Sequence, residues 1–200
     1  MITIIGLGYG GEGGLTLASL TALKNCSNVI LRTEKCSSAD FLAEIGVKFR
    51  SLDDIYEDSD SFDEMINKSI DRIIGSAADG DVVFAVPGNV ASDSTAEALI
   101  KAAERENIPH SIIPGLSYAD SALAAANITA RDYRAIPAAD MSRIYIDVRT
   151  TNIFFEIESR LTASDLKCFL LEHYDASHKV FICQGQQGDI IVSEEIELYE

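Results

Sequence analysis

Glycine is concentrated directly after the first apolar segment, in MITIIGLGYGGEGGLT at residues 1–16. Glycine has no Cβ, so such a loop lets the backbone come close to a ligand. Gly6, Gly8 and Gly11 also satisfy the G-x-G-x-x-G pattern of dinucleotide-binding loops. A glycine-dense stretch matches that pattern easily. The loop therefore predicts a close-approaching ligand without identifying it.

Two further loops have residues suited to sharp turns and close approach. Pro87-Gly88 follows the apolar run DVVFAVP at residues 81–87, and Pro114-Gly115 follows Ser111–Ile113. Proline fixes one backbone dihedral of a turn, and glycine allows conformations that other residues avoid. Together with the first loop they are candidate ligand loops.

The elements that position these loops alternate between strands and helices. The apolar patterns predict strands at Ile2–Ile5, Asn28–Leu31, Asp81–Pro87 and Ser111–Ile113. They predict helices at Leu15–Asn25, Ala39–Ile45 (with Ser37 or Ser38 as N-cap), Asp53–Ala78, Ala91–Glu106 and Ser117–Ala126. The alternation predicts an α/β fold with a doubly wound parallel sheet, which binds ligands at the carboxyl ends of its strands.

The pattern changes in the last third of the chain. Residues 128–143 lack a clear period and predict an irregular linker. Strands are predicted at Thr151–Glu158, Lys179–Gln184 and Ile190–Leu198, with a helix at Ala163–Glu172. We therefore expect an N-terminal ligand-loop domain at residues 1–116 and a smaller mixed α/β domain at residues 117–200.

Composition excludes several classes of partner. The 200 residues are 47% hydrophobic, with 32 acidic and 16 basic residues and a net charge of -16. This charge disfavours nucleic acid and anionic membranes as partners. The four cysteines form no CxxC pair, which predicts reduced thiols, no zinc site and a cytoplasmic protein. We also expect neither an export signal nor a membrane anchor.

Three motifs in order carry a resemblance to a known family. IIGLGYG at residues 4–10, GDVVFAVPGNV at 80–90 and SIIPGLSYADSALAAANI at 111–128 resemble the tetrapyrrole (corrin/porphyrin) methylases, which use S-adenosylmethionine. LRTEK at 31–35, AVPG at 85–88 and SRLTASDLKCFLLEHY at 159–174 look like the methylase-like N-terminal domain fused to MazG-type nucleotide pyrophosphohydrolases. We expect the chain to be a fragment of such a fusion or a stand-alone relative.

The resemblance implies a two-domain fold, S-adenosylmethionine as cofactor, a small-molecule acceptor and a homodimer. It implies that the acceptor faces the first loop, and that the second loop holds the amino-acid end of the cofactor while the third shapes the cleft. The residues so assigned are Gly6, Leu7, Gly8 and Tyr9; Pro87, Gly88, Asn89 and Val90; and Pro114, Gly115, Leu116 and Ser117. No catalytic residue and no metal ligand is assigned.

The loops depart from the family pattern at specific positions. Where the family has GxGPGD, Tyr9 replaces the proline and Gly11 replaces the acid, and the second loop has Pro87-Gly88-Asn89 in place of GDP. Tyr9 is expected either to stack on an acceptor or to cover the loop. Arg32 and Glu34 are expected to form a surface ion pair.

Three functions follow. The first is methyl transfer from S-adenosylmethionine to an unidentified acceptor. The second is a non-catalytic ligand-sensing or dimerisation module of a MazG-type pyrophosphohydrolase. The third, ranked last, is a nicotinamide dehydrogenase with Glu34 closing the second strand.

Overall fold

A computed structural model describes residues 1–9, 11–157, 159–186 and 189–199. Gly10 of the first loop and Glu158, the predicted end of a strand, lie outside these residues. The described chain contains two compact units, built around Met1–Tyr118 and around Ala119–Gln184. No helix in the described ranges is long and apolar enough to cross a membrane.

The first unit is a parallel α/β sheet. Its strands are β1 (Ile2–Gly6), β2 (Val29–Leu31), β3 (Arg50–Ser51), β4 (Val82–Val86) and β5 (His110–Ile113). Its helices are α1 (Leu17–Asn25), α2 (Ser37–Glu44), α3 (Asp53–Glu57), α4 (Phe62–Ala78) and α5 (Ser94–Arg105), with 3-10 turns at Gly11–Gly14 and Val90–Ser92. The strand order is β3-β2-β4-β1-β5, and the strand pairs are parallel. The predicted parallel sheet is confirmed, with β3 as a short strand that the apolar pattern did not indicate.

Both faces of the sheet are buried, which explains the continuous apolar run of β4. One face packs Ile4 and Phe84 against α4 and α5, through residues such as Ile73 and Leu99. The opposite face packs Ile5 and its neighbours against α1 and α2. Helices therefore cover the sheet from both sides, as a doubly wound fold requires.

The predicted single helix Asp53–Ala78 is wrong, because the chain forms α3 and α4 with a break at residues 58–61. Ser61 is the N-cap of α4, and its Oγ accepts a hydrogen bond of 3.2 Å from the Glu64 N–H. The Glu64 carboxylate in turn accepts from the Asp60 N–H at 3.1 Å. This reciprocal pair resembles a capping box and starts a new helix inside the acidic segment.

The N-termini of α2 and α5 also differ from the predictions. Cys36, without a side-chain capping bond, precedes α2, so that Ser37 and Ser38 lie inside the helix. The predicted helix Ala91–Glu106 is divided into the 3-10 turn Val90–Ser92 and α5, because Asp93 caps α5 through a 2.8 Å bond from the Ala96 N–H. A capping side chain thus sets where α5 starts.

The elements after β5 lie mostly in the second unit. They are α6 (Tyr118–Ala125), β6 (Tyr133–Pro137), a 3-10 segment (Ala138–Arg143), β7 (Thr151–Phe155), α7 (Arg160–Leu171), β8 (Lys179–Gln186) and β9 (Asp189–Glu197). β6 and β7 form a parallel pair, and β8 pairs with β9. The predicted linker at 128–143 is therefore wrong. It contains a strand whose partner lies elsewhere in the chain, and only Ile136 of that strand is fully buried.

Candidate functional site

The three predicted ligand loops lie at one edge of the first unit. They follow β4, β1 and β5, which are adjacent in the sheet and parallel. The carboxyl ends of parallel strands share an edge, so the loops at residues 7–9 with 11–14, 87–92 and 114–117 emerge side by side. The sequence predicted that each loop follows a strand, and the structure confirms this for all three loops.

The first and second loops are joined by backbone hydrogen bonds. The Gly8 N–H donates to the Gly88 carbonyl at 2.9 Å, and the Gly88 N–H donates to the Gly8 carbonyl at 3.0 Å. The Leu7 N–H continues the pattern by donating to Val86 at 2.8 Å. This antiparallel bridge closes the gap between the two loops above β1 and β4.

The third loop packs against the same bridge. A Cβ built on Gly6 would lie 2.5 Å from both the Gly88 oxygen and the Gly115 nitrogen, and one built on Gly115 would lie 2.2 Å from the Gly88 oxygen. Backbone atoms cannot move aside as a flexible side chain can. Glycine is thus required at these positions by contact between the loops, whether or not a ligand is bound.

Backbone conformation adds a second requirement at Gly88. Its φ of +68° lies in the left-handed region, which costs other residues roughly 1–2 kcal/mol. Gly8 has a similar φ of +69°, and its Cβ would lie 2.0 Å from the Gly14 oxygen. Close backbone contacts therefore require glycine at Gly6, Gly8 and Gly14, whereas Gly13 has open space around it.

Tyr9 lies across the second loop. A Cβ on Gly88 would approach the Tyr9 ring to 2.6 Å at Cε2 and 2.8 Å at Cζ. The half-buried ring consequently covers Gly88, at the position where the family pattern has proline. A ligand that reaches Gly88 from the Tyr9 side must displace this ring.

The remaining residues of the second and third loops divide between core and surface. Val90 is buried in the core, and the Asn89 side chain accepts a 3.2 Å bond from the Ala91 N–H. Pro87 is half-buried and Pro114 is exposed. Leu116 is an exposed apolar side chain. Val90 therefore offers no side chain to a ligand.

An ion pair near this edge differs from the predicted one. The Arg32 Nε lies 3.1 Å from Oδ2 of Asp93, rather than pairing with Glu34. Arg32 follows β2 and Asp93 precedes α5, so the sheet order brings together residues that are distant in sequence. Asp93 was not singled out by its sequence pattern. Its position as a helix cap directly after the second loop was the available signal.

A second carboxylate fixes the loop after β2. Asp53 accepts a 2.7 Å bond from the Thr33 hydroxyl and a 2.8 Å bond from the Glu34 N–H. Partial burial raises the pKa of Asp53, but the hydrogen bonds from Glu34 and Thr33 outweigh it, and the net pKa is lowered. The Asp53 carboxylate therefore stays ionised and holds the loop that begins at Arg32.

Two concavities lie away from the three loops. One has a volume of about 500 Å³ and is bordered by α4 and α5, and the other, of about 290 Å³, lies near the start of α4. Their linings comprise Ile66, Asn67, Ile70, Ala98, Lys101, Glu104 and Arg105 for the first, and Tyr56, Ser59, Asp60, Ser61, Phe62 and Met65 for the second. Neither contains a residue of the candidate ligand loops.

Comparison with known proteins gives a family match over most of the chain. The family model "Tetrapyrrole (Corrin/Porphyrin) Methylases" matches residues 1–185. The curated Bacillus subtilis (strain 168) protein "Uncharacterized protein YabN" is 27% identical over 194 residues, which cover 95% of this chain. The chain spans 40% of the length of that relative.

Solved structures share the fold at low identity. Uroporphyrin-III-C-methyltransferase from Thermus thermophilus matches with a TM-score of 0.71 at 15% identity, over 99% of this chain and 83% of the other. The methyltransferase CobJ gives 0.72 at 18% identity, over 100% and 87% of the two chains. Diphthine synthase gives 0.67 at 16% identity, over 99% and 82%. These likenesses concern the fold.

Proposed function

The chain belongs to the tetrapyrrole (corrin/porphyrin) methylase family, and from this premise we propose that it is a methyltransferase that uses S-adenosylmethionine and acts on a small-molecule acceptor. The observation that carries the proposal is the assembly of the three family loops at the carboxyl edge of one parallel sheet. Ligands of α/β sheets bind at this edge.

The chemistry of the second and third loops fits the proposed cofactor. Residues 87–90 and 114–117 contain no charged side chain and offer backbone amides, one amide side chain and apolar surface. Neutral donors and acceptors suit a zwitterionic amino-acid end, and apolar surface suits a nucleoside. We assign Pro87, Gly88, Asn89 and Val90 with Pro114, Gly115 and Ser117 to the cofactor.

The first loop is proposed to face the acceptor at Gly6, Leu7, Gly8 and Tyr9, of which Leu7 contributes backbone only, because its side chain is fully buried in the core. When bound, S-adenosylmethionine supplies a methyl group already activated on a sulfonium. The protein then has to orient the acceptor and exclude water, and proximity of this kind accounts for much of the barrier that enzymes remove. The absence of the family's acid at Gly11 is compatible with this requirement.

Tyr9 decides whether the acceptor side is open. The ring covers Gly88 in the structure. We propose that it swings aside and stacks on a planar acceptor, a contact that contributes about 0.5–1.5 kcal/mol between aromatic groups. The same ring held in place would instead block the acceptor.

The alternative of a non-catalytic ligand-sensing module gains no support from the likenesses, since two of the solved structures are named as methyltransferases. An association with a MazG-type domain stays a proposal, favoured by the curated relative being much longer than this chain. A homodimer and a cytoplasmic location are likewise proposed.

A methyl-transfer assay tests the function. Radiolabelled S-adenosylmethionine is incubated with wild type, Tyr9→Ala and Tyr9→Phe, and with a panel of tetrapyrrole precursors. We expect wild type to transfer the methyl group and Tyr9→Phe to retain this activity. Tyr9→Ala should have a higher KM for the acceptor. Activity that is absent in wild type and gained in Tyr9→Ala would show that the ring blocks the acceptor site. That result would favour the hypothesis of a ligand-sensing module over that of an enzyme.

A further inference from the structure

Two exposed aromatic rings border one concavity at the junction of α3 and α4. Tyr56, in α3, is 67% exposed, and Phe62, the first residue of α4, is 54% exposed. Both line the concavity of about 290 Å³, together with the buried side chain of Met65. Single exposed apolar residues are ordinary, but large ones grouped around a concavity indicate a contact surface.

Local hydrogen bonds fix the backbone between the two rings. The Ser59 hydroxyl donates to the Ile55 carbonyl at 2.7 Å, and the Lys68 ammonium donates to the Asp58 carbonyl at 3.0 Å. The N-terminal cap of α4 described above holds the end of the same turn. The rings are therefore attached to a preformed turn, which lowers the entropy that a partner must remove on binding.

The carboxylates of this segment divide into paired and unpaired groups. Ion pairs at 2.7–3.2 Å join Asp54 to Arg72, Glu57 to Lys35 and Glu64 to Lys68. In the part of the chain that the structure describes, the side chains of Asp58, Asp60 and Asp63 form neither an ion pair nor a hydrogen bond. Asp60 itself lines the concavity. Exposed aromatic surface and uncompensated negative charge thus occur together.

This combination favours a cationic side chain as the occupant. The face of an aromatic ring attracts an ammonium or a guanidinium, and a nearby carboxylate balances the charge. An anionic group would be repelled, and a neutral apolar group would leave the carboxylates without a counter-charge. A concavity of about 290 Å³ is smaller than most pockets that enclose a whole ligand, which start at about 300 Å³, and so suits one long side chain.

A second copy of this chain does not provide a suitable basic segment. Its most arginine-rich stretch, residues 131–149, already engages most of its guanidinium groups locally. Arg134 donates to the Tyr145 carbonyl, Arg143 pairs with Asp140 at 3.7 Å, and Arg149 pairs with Asp147 at 2.9 Å. The complementary charge is therefore expected on a different protein.

We propose that the concavity between Tyr56 and Phe62 docks a basic segment of another protein. One arginine or lysine side chain of that segment lies against the rings, with its charge beside Asp60. The concavity contains no residue of the three ligand loops. Docking is thus independent of the proposed methyl transfer, and either can fail without the other.

The test measures binding of a fluorescein-labelled peptide of alternating arginine and alanine to the full chain by fluorescence anisotropy. A peptide of alternating glutamate and alanine is the ligand control. The net charge of -16 attracts any polycation, so the variants have to separate the concavity from net charge. Titrations at about 0.15 M salt help, because exposed charges more than about 8 Å apart are then largely screened.

The variants change either a ring or a charge. Tyr56→Leu and Phe62→Leu, alone and combined, remove aromatic rings but keep apolar volume and net charge. Asp60→Asn removes one carboxylate and keeps the backbone N–H that bonds to Glu64.

Two controls match these changes outside the concavity. Tyr145→Leu removes a ring that is 80% exposed and lines neither concavity. Asp71→Asn removes an exposed carboxylate nine residues after Phe62 in α4, or about 13 Å along the helix.

We expect Tyr56→Leu and Phe62→Leu each to bind the arginine peptide about two- to fivefold more weakly, the range of an exposed cation–π contact. The double variant should lose about tenfold, and Asp60→Asn up to about fivefold, as for an exposed ion pair. Tyr145→Leu and Asp71→Asn should stay within about 1.5-fold of wild type. The glutamate peptide should not bind. A melting temperature for each variant confirms folding, which the exposed positions and the conserved apolar volume favour.

Three results would overturn the proposal. Wild type without measurable affinity for the arginine peptide would remove the site. A folded double variant that binds as wild type does, or an equal loss in Asp71→Asn and Asp60→Asn, would leave only attraction by net charge. Light scattering that gives a dimer for wild type and a monomer for the double variant would assign this surface to a second copy of the chain instead.

Discussion

Gly88 is the residue at which the second loop depends most on the absence of a side chain. Its carbonyl and N–H both bond to Gly8, its φ is positive, and the Tyr9 ring occupies the space that a Cβ would need. The sequence indicated a permissive residue here. It could not indicate which groups lie against it, because the contacts come from loops more than 70 residues apart in the chain.

Gly88→Ala is expected to lower the free energy of unfolding by about 1–2 kcal/mol from the left-handed backbone, with a further cost from displacing the ring. Urea denaturation of Gly88→Ala, Tyr9→Ala and the double variant measures both parts. The double variant should be less destabilised than the sum of the single variants, because the clash is removed with the ring. Strict additivity would show that Tyr9 does not rest on Gly88.

Asp53 carries a pH-dependent contribution to stability. Its pKa in the folded protein lies below the ordinary aspartate value of 3.8, because the Glu34 and Thr33 hydrogen bonds together outweigh burial, which raises the pKa. A depressed carboxylate pKa stabilises the fold above the unfolded pKa, and this stabilisation is lost as pH falls through the folded pKa.

Asp53→Asn should therefore destabilise the protein by the same amount at pH 7 and pH 5, and by progressively less below about pH 4. Thermal melts across this range measure the difference from wild type. Asp71→Asn, on the exposed side of α4, is the control and should change the melting temperature little throughout. A difference for Asp53→Asn that grows toward acid would contradict the assignment.

At the scale of elements, strongly periodic segments were predictable and interruptions were not. The apolar stripe of α4 located that helix, yet the helix starts at Phe62, because Ser61 and Glu64 satisfy the first N–H groups locally. β6 was missed because its strand conformation depends on pairing with β7, a non-local interaction that leaves little periodicity in its own sequence. β2 and β4 were both predicted, but their adjacency, and with it the Arg32–Asp93 pair, is a property of strand order.

Gly75 offers a stabilising change in α4. It lies in the interior of the helix, is exposed, and a Cβ there would meet nothing within 4 Å. Gly75→Ala should raise the free energy of unfolding by about 0.5–1 kcal/mol, since alanine loses less backbone entropy in a helix.

Gly46→Ala is the matched comparison, measured by the same urea denaturation. Its Cβ would also have open space, but its φ is +79°, so the substitution should destabilise the protein by about 1–2 kcal/mol. If Gly75→Ala and Gly46→Ala changed the free energy of unfolding in the same direction, the explanation from backbone conformation would be wrong.

At the scale of the whole molecule, the ordered set of three loops was more informative than any single loop. The G-x-G-x-x-G match alone suggested a dinucleotide-binding protein. The three motifs together predicted the tetrapyrrole methylase family, and the match of the family model to residues 1–185 confirms it. The backbone contacts among Gly6, Gly88 and Gly115 explain why the motifs occur together, because each loop restricts the others.

A homodimer is expected from the family resemblance. Light scattering at micromolar concentration should give twice the mass of the chain, which is 21.7 kDa. A monomer mass across that range would refute it.

Binding of S-adenosylhomocysteine tests most directly whether the three-loop edge is a cofactor site. Calorimetric titration with S-adenosylhomocysteine should show saturable binding by wild type and by Gly46→Ala. Gly88→Ala should bind S-adenosylhomocysteine about tenfold more weakly, a loss of about 1.4 kcal/mol in binding free energy. A titration of wild type with NAD should show no binding. Saturating ligand at about 100 times its dissociation constant should also add about 2.7 kcal/mol to the stability of wild type. A wild-type protein that shows neither heat nor stabilisation with S-adenosylhomocysteine, or a folded Gly88→Ala that binds it as wild type does, would contradict the account.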